Sequence, residues 1–363
     1  MFSTAMLVAG ASLALGAAVG SFLGCLVYRW PRDLSLLRPP RSFCPACQQT
    51  LPWHRNVPIL SWLLLRGRCR DCRAQISIHY LLLELLTALL FLLLALDYPL
   101  AEAVPLGVFF AVLLAATFID VEHLIIPDRL TVPAVAAGLI ASTVVPALHG
   151  AEAWSAGLWA SLVGAAVGYG LLYLVSYLGK LAFGRWNLRS AEPIDFEACR
   201  TPQEGWRFRF DGESYAWKEL FYRRTDRIRI QALGLVVDGR AWPGTTELIL
   251  TRDAVGLPER MIPLGELEAL SGTTQAAVFP REALGLGDVK LMAVIGAFLG
   301  WPGVCFSLGA GSLIGTVVGL TILVVRRTRD TQIPFGPYLS AGAVLWTLAG
   351  PRLLQWYVAH FIG

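Results

Sequence analysis

Apolar residues run along this chain in long blocks rather than in alternation. A membrane-spanning helix needs about 20 mostly apolar residues, and residues 7–28 meet that condition at once. Further blocks cover residues 80–96, 104–119, 130–148, 158–181, 289–299, 303–325 and 338–349, the last extending towards Phe361. The pattern predicts a mainly α, polytopic membrane protein with about eight transmembrane helices. Met1 to Leu7 carries no basic residue, and the first Arg, Arg29, follows the first apolar block. That order fits a retained first helix rather than a cleaved signal peptide.

The polar segments between the blocks are of two kinds. Residues 29–79 hold Arg29, Arg32, Arg38, Arg41, Arg55, Arg66, Arg68, Arg70 and Arg73, and the turn after the seventh block holds Arg326, Arg327 and Arg329. The alternate loops, 97–103, 149–157 and 301–302, hold no Lys or Arg. Basic residues stay on the cytoplasmic side, so the Arg-rich loops are expected there and both termini outside, with Arg352 the one misfit. Residues 184–284 mix Arg, Asp and Glu. They alternate apolar and polar positions in Trp206-Arg207-Phe208-Arg209-Phe210, Arg227-Ile228-Arg229-Ile230 and Glu247-Leu248-Ile249-Leu250, with turns at Asp211-Gly212 and Asp238-Gly239. A small β-rich cytoplasmic insertion domain is expected. Its candidate core aromatics are Trp206, Phe208, Phe210, Tyr215, Trp217, Phe221 and Tyr222. The expected organisation is therefore a first helix (1–28), a cysteine loop (29–79), helices two to five (80–183), the β-rich insertion (184–284) and helices six to eight (285–363).

Composition sharpens this picture. Charged residues make up 15% of the chain, against about 25% in soluble domains, and mean hydropathy is +0.58. The net charge of +4 is too small to point to nucleic acid. Seven cysteines do not close a disulfide framework. Four form Cys44-Pro45-Ala46-Cys47 and Cys69-Arg70-Asp71-Cys72, two tight pairs at the spacing of a four-thiolate zinc site. Such a closed site is structural, a staple for a loop too short to build a core. Two disulfides or free thiols are the plainer reading.

Two carboxylates mark block boundaries. Asp120 ends the third block, and Asp288 opens the sixth after Gly285-Leu286-Gly287. Ionisable groups at such depth are costly and point to function, and two aspartates sharing a proton can serve as acid and base. Singly, Asp288 reads as a helix N-cap and Asp120 as a solvated boundary charge. Asp128, after Ile126-Pro127, reads as a helix cap that could assist the site. Glu84 lies inside the second block, where an unpaired carboxylate is expensive; an Arg or a polar group of the substrate would satisfy it. The chain has no His-Glu-x-x-His zinc motif and no Gly-x-Ser-x-Gly elbow, and Gly285-Leu286-Gly287 follows no strand as a dinucleotide loop would.

These segments together resemble the bacterial type IV prepilin peptidases, the leader peptidase/N-methyltransferases. The resemblance runs through Gly20-Ser21-Phe22-Leu23, Tyr28-Arg29, both cysteine pairs, Asn56-Val57-Pro58, Leu60-Ser61-Trp62, Arg66-Gly67-Arg68, Ile119-Asp120, Ile126-Pro127-Asp128, Gly285-Leu286-Gly287-Asp288-Val289-Lys290-Leu291 and Pro334-Phe335-Gly336-Pro337. It implies an aspartic endopeptidase of the bacterial inner membrane with Asp120 and Asp288 as catalytic pair. Its partners would be prepilin or pseudopilin precursors and membrane lipid. It also implies N-methylation of the new terminus with S-adenosylmethionine. Gly24 stands where the family usually has Asn, and residues 184–284 exceed the usual connection. Two other classes compete: a membrane methyltransferase with structural aspartates, and a non-enzymatic assembly factor of a pilus or secretion system.

Overall fold

In a computed structural model, the structure describes residues 2–39, 41–201, 205–221, 226–280, 284–326 and 333–361. The chain divides into two compact units, Met1–Tyr173 with Gly285–Gly363, and Leu174–Leu284. Tyr222, Arg327 and Arg329 lie outside the described residues.

The helices are α1 (Phe2–Arg29), α2 (Leu60–Leu64), α3 (Ile78–Asp97), α4 (Leu100–His123), α5 (Asp128–Val144), α6 (Trp154–Phe183), α7 (Leu286–Arg326) and α8 (Gly336–Phe361). Among the described residues, five apolar stretches are long enough to cross a membrane: Met6–Arg32, Ile78–Asp97, Leu100–His123, Trp154–Leu181 and Leu286–Val325. The expectation of eight is met in part by this measure: α5 and α8 are not among the five, and two of the expected blocks share the single stretch in α7. Helix α5 has only 17 residues, and α8 carries Arg352 and His360 in its second half. The blocks read as helices six and seven form one element, α7, of 41 residues. Unbroken, it would run about 60 Å at 1.5 Å per residue, twice the hydrocarbon thickness of about 30 Å. Gly300, at φ 68 and ψ −178, breaks it, with Pro302 just beyond. The carbonyl of Ala297, beside the break, accepts hydroxyls from Ser161 at 2.6 Å and Ser142 at 3.2 Å, which gives that acceptor side-chain donors away from water.

The helices pack with apolar side chains on both sides. Leu81, Leu83, Leu90 and Leu94 of α3 are buried, while Leu82, Leu85, Leu86 and Leu89 of the same helix are exposed. Helix α7 exposes Leu313, Val317, Leu320 and Val324. Water would not tolerate such continuous stripes. Small residues let α1 approach α3: a Cβ on Gly20 would lie 2.7 Å from the Cα of Glu84. Arg352 faces Asp97 at 3.6 Å, which puts the misfit cation beside an acidic residue of a loop without Lys or Arg.

The second unit is an antiparallel sheet of β1 (Arg185–Thr201), β2 (Gly205–Phe210), β3 (Glu213–Ala216), β4 (Ile228–Val237), β5 (Arg240–Leu250), β6 (Ala254–Leu257), β7 (Arg260–Pro263) and β8 (Ala269–Pro280). Its spatial order is β3-β2-β1-β8-β4-β5-β6-β7. The turns at Asp211-Gly212 and Asp238-Gly239 have positive φ at both residues, the form that Asp-Gly favours because its twist matches the strands. Period-two alternation places Phe208, Phe210, Ile228, Ile230, Leu248 and Leu250 in one core with Phe196, Trp217 and Phe221. Trp206 packs against that core, whereas Tyr215 is 40% exposed.

Candidate functional site

Helix α4 ends where Leu124 turns left-handed, φ 54, and its N–H bonds the Asp120 carbonyl at 2.8 Å. Asp120 thus sits in the last turn of α4, with only 6% of its surface exposed. Asp288 sits in the first turn of α7 and is 9% exposed. The two carboxyl groups interact electrostatically. Their partners differ. The N–H of Gly336, which opens α8, donates to Asp120 Oδ2 at 3.0 Å. Asp288 Oδ1 is buried with no hydrogen-bond partner among the described residues, which a structural carboxylate would not tolerate.

Glycines make this closeness possible. A Cβ on Gly336 would lie 2.8 Å from Asp120 Oδ2 and 3.0 Å from Ile126 Cδ1. One on Gly287 would lie 2.9 Å from Ile126 Cβ. Ile126 is therefore clamped between the start of α7 and the start of α8. It precedes Pro127, which favours the extended backbone that leads out of α4.

Asp128 departs from expectation. The N-cap of α5 is Pro127, and no side chain caps it. Asp128 lies one place inside the helix, and its carboxylate accepts from Lys290 Nζ of α7. The cap reading is overturned because the α turn starts one residue earlier and an ammonium claims the carboxylate.

Glu84 has neither an Arg nor an open carboxylate. Its Oε2 accepts the Ile59 N–H at 2.6 Å. Ile59 has φ 64 and ψ −54, the centre of a γ-turn closed by Leu60 N to Pro58 O at 2.6 Å. That conformation is strained for a β-branched residue, and Glu84 holds it in place.

The cysteine loop repeats one turn twice. Cys44 N bonds Gln49 O, and Cys69 N bonds Ala74 O. Gln48 (φ 59) and Arg73 (φ 62) occupy matching left-handed positions, and bridges Phe43–Thr50 and Arg68–Gln75 flank the turns. All four sulfurs lie within 4.8 Å of one another, with Cys44 and Cys72 3.8 Å apart. A tetrahedral ion at about 2.3 Å from each thiolate needs such spacing. Backbone N–H groups of Cys72 and Asp71 bring the Cys69 thiol down to about 7. The Gln49 N–H favours the Cys47 thiolate, yet desolvation and the neighbouring sulfurs push that thiol up to about 12. Four crowded thiolates require a cation, so the residues fit a metal ion. Arg29 secures the start of the loop: its buried guanidinium donates to the carbonyls of Ser35, Leu36, Pro39 and Arg41 at 2.9–3.0 Å.

A cavity of about 400 Å³ lies between the cysteine loop and the ends of α1, α3 and α4. Gly336, Lys290 and this cavity were not assigned roles by sequence reasoning. The Pro334-Phe335-Gly336-Pro337 run was visible, but a backbone donor has no side-chain signature.

Two family models match the chain. The bacterial peptidase A24 N-terminal domain covers residues 14–98, and the type IV leader peptidase family covers residues 107–186 and 250–320. The chain is similar to the prepilin leader peptidase/N-methyltransferase of Myxococcus xanthus (strain DK1622), 30% identical over 94% of this chain and 72% of that protein. The protein of that name from Aeromonas hydrophila is 27% identical over 95% of this chain and 91% of its own length. The type 4 prepilin-like proteins leader peptide-processing enzyme of Escherichia coli O78:H11 is 28% identical over 91% and 89%. No solved structure matches.

Proposed function

The chain belongs to the type IV leader peptidase family, and we propose that it uses Asp120 and Asp288 as the acid–base pair with which it cleaves prepilin leader peptides. It then N-methylates the terminus that cleavage exposes. The observation that carries the assignment is the pair of buried carboxylates, one held by Gly336 N–H and the other with an oxygen unpartnered among the described residues.

Asp120, with its fixed backbone donor, is the ionised member, and Asp288 holds the proton. The ionised carboxylate takes a proton from water as the water oxygen adds to the scissile carbonyl carbon. The protonated carboxylate gives its proton to the carbonyl oxygen. When the tetrahedral species collapses, the C–N bond breaks. The leaving amine takes one proton and the other carboxylate recovers its own, so the pair returns to its starting state. Lys290 and Asp128 brace the start of α7 against the start of α5 and orient Asp288.

Zinc in the Cys44, Cys47, Cys69 and Cys72 cluster leaves no open coordination position. It folds the loop and performs no step. S-adenosylmethionine, when bound, supplies the methyl group. The charge pattern supports eight crossings in lipid: α1, α3, α4, α5, α6, the two halves of α7, and α8. The termini lie in the periplasm, and the cysteine loop and β-rich unit lie in the cytoplasm of a bacterial inner membrane. The unpartnered Asp288 oxygen argues against purely structural aspartates, and hence against a methyltransferase or assembly factor without protease activity.

The test is mass spectrometry of a purified prepilin or pseudopilin incubated with the chain in vesicles. The expected product lacks its leader and, with S-adenosylmethionine present, carries one added methyl group. An intact precursor under conditions where the enzyme is folded contradicts the reading.

A further inference from the structure

We propose that residues 56–65 form a re-entrant element that inserts into the lipid leaflet at which α3 begins, with Leu60, Leu63 and Leu64 against acyl chains. That leaflet is the cytoplasmic one in the topology above, and the proposal rests on α3 crossing the bilayer. Residues 56–65 carry no charge, and Arg55 and Arg66 bound them. An apolar run of about 10 residues is too short to cross and fits a buried, re-entrant or interfacial segment. Burial inside the protein is excluded, because Leu64 is 82% exposed and Leu60 and Leu63 are more than half exposed.

Two hydrogen bonds set the depth. The Ile59 N–H donates to Glu84 at 2.6 Å. Glu84 lies inside α3, which begins at Ile78, at a depth of about 9 Å for a rise of 1.5 Å per residue. At the other end, the Ile76 N–H donates to the Gly67 carbonyl at 2.8 Å, just outside α3. Helix α2 therefore runs between these two levels. His79 meets Glu122 at 2.8 Å, which sets the start of α3 level with the end of α4. From that level Glu84 is about 7.5 Å deep and Asp120 about 3 Å, so Ile59 lies deeper than the Asp120 carboxylate.

The chemistry suits that depth. Lipid leaves no backbone donor unmet, and the N–H groups of Val57, Ile59, Ser61, Leu63 and Leu65 all find acceptors within the chain. Trp62 Nε1 donates to the Ile76 carbonyl at 3.3 Å, so its one polar atom is tied to the protein. Leu82, Leu85 and Leu86 of α3 are exposed at the same depth, and the lipid that covers them reaches α2 as well. Arg66 and Arg68 flank Gly67 outside the start of α3, where headgroup phosphates lie. A carboxylate within a span is costly, and here Glu84 holds the tip of the re-entrant turn. The protein thereby displaces lipid in that leaflet down to the level of Asp120.

The experiment places p-benzoylphenylalanine at Leu64 of the full chain in nanodiscs and reads photo-adducts by mass spectrometry. The same substitution at Leu86 of α3 is the lipid-facing reference, and at exposed Met261 of β7 the water-facing one. Thermal unfolding shows that each variant is folded, and Leu63 replaces Leu64 should the label there unfold the chain. Leu64 is expected to gain the mass of one phospholipid in the same yield as Leu86, with fragmentation placing the new bond on an acyl chain. Met261 is expected to gain none. No adduct at Leu64 beside a lipid adduct at Leu86, attachment to the headgroup, a cross-link to a second copy of the chain, or an equal yield at Met261 overturns the insertion. No adduct at Leu86 overturns the crossing of α3 on which the proposal rests.

Discussion

Replacing Gly336 by Ala tests the site more finely than removing a carboxylate. The added methyl would lie 2.8 Å from Asp120 Oδ2, closer than real contacts allow, and a tight 3.0 Å from Ile126 Cδ1. Ile126 is clamped on its other side by Gly287, so the Asp120 carboxylate has to move. It then loses the Gly336 N–H bond of 3.0 Å. A hydrogen bond to a charged group contributes about 1.5–3 kcal/mol, which corresponds to a rate loss of about ten- to 150-fold. Gly285→Ala is the matched control. Its methyl would lie 3.5 Å from Asp288 Oδ2, an ordinary contact, and the rate should fall less than about threefold. The assay is leader release from a purified precursor in vesicles at saturating precursor, with thermal unfolding in detergent run beside it. A Gly336→Ala enzyme with the wild-type maximal rate, or a Gly285→Ala enzyme as damaged as Gly336→Ala, would refute the reasoning.

Four further outcomes follow from the same geometry. Cys44→Ser and Cys72→Ser should each lower zinc below about one ion per chain and destabilise the loop together with it; elemental analysis of active protein without zinc would disprove the metal site. Glu84→Gln should loosen the Ile59 turn by about 1–2 kcal/mol, read as faster proteolysis of the 56–61 segment, and Ile59→Gly should slow that proteolysis by relieving the positive φ. Asp128→Asn should be far milder than Asp120→Asn, because Asp128 is 65% exposed and its ion pair with Lys290 is screened by water; equal loss in the two variants would move the catalytic assignment. Replacing residues 189–274 by a Gly/Ser linker should leave cleavage in place but raise the precursor concentration needed for half-maximal rate, and a folded variant with no maximal rate would assign the β-rich unit to the catalytic machinery.

The parts legible from sequence are those written in side chains. Asp120 and Asp288 stand out as charges at the ends of apolar blocks, and the cysteine pairs carry their spacing openly. Asp-Gly pairs mark two of the hairpin turns because few other dipeptides accept two positive φ values. The missed features are written in backbone. Gly336 contributes an N–H, and Glu84 binds the N–H of Ile59, so no residue type advertises either partner. Asp128 was misread as a cap because cap and first-turn positions favour the same acids, and only Pro127 at the N-cap separates them. The break in α7 reads from sequence as a short loop at Trp301-Pro302 between two helices; the structure places it one residue earlier, at Gly300, whose non-helical φ/ψ separates the two helical runs.

The most direct test of the central claim is the single-turnover cleavage rate of Asp120→Asn, Asp288→Asn and the double variant, each shown to be folded in the membrane. Groups that act as one unit are not additive. The account predicts that each single substitution abolishes leader release and that the double variant is no worse than either. A single variant that keeps most of the wild-type rate would contradict the dyad.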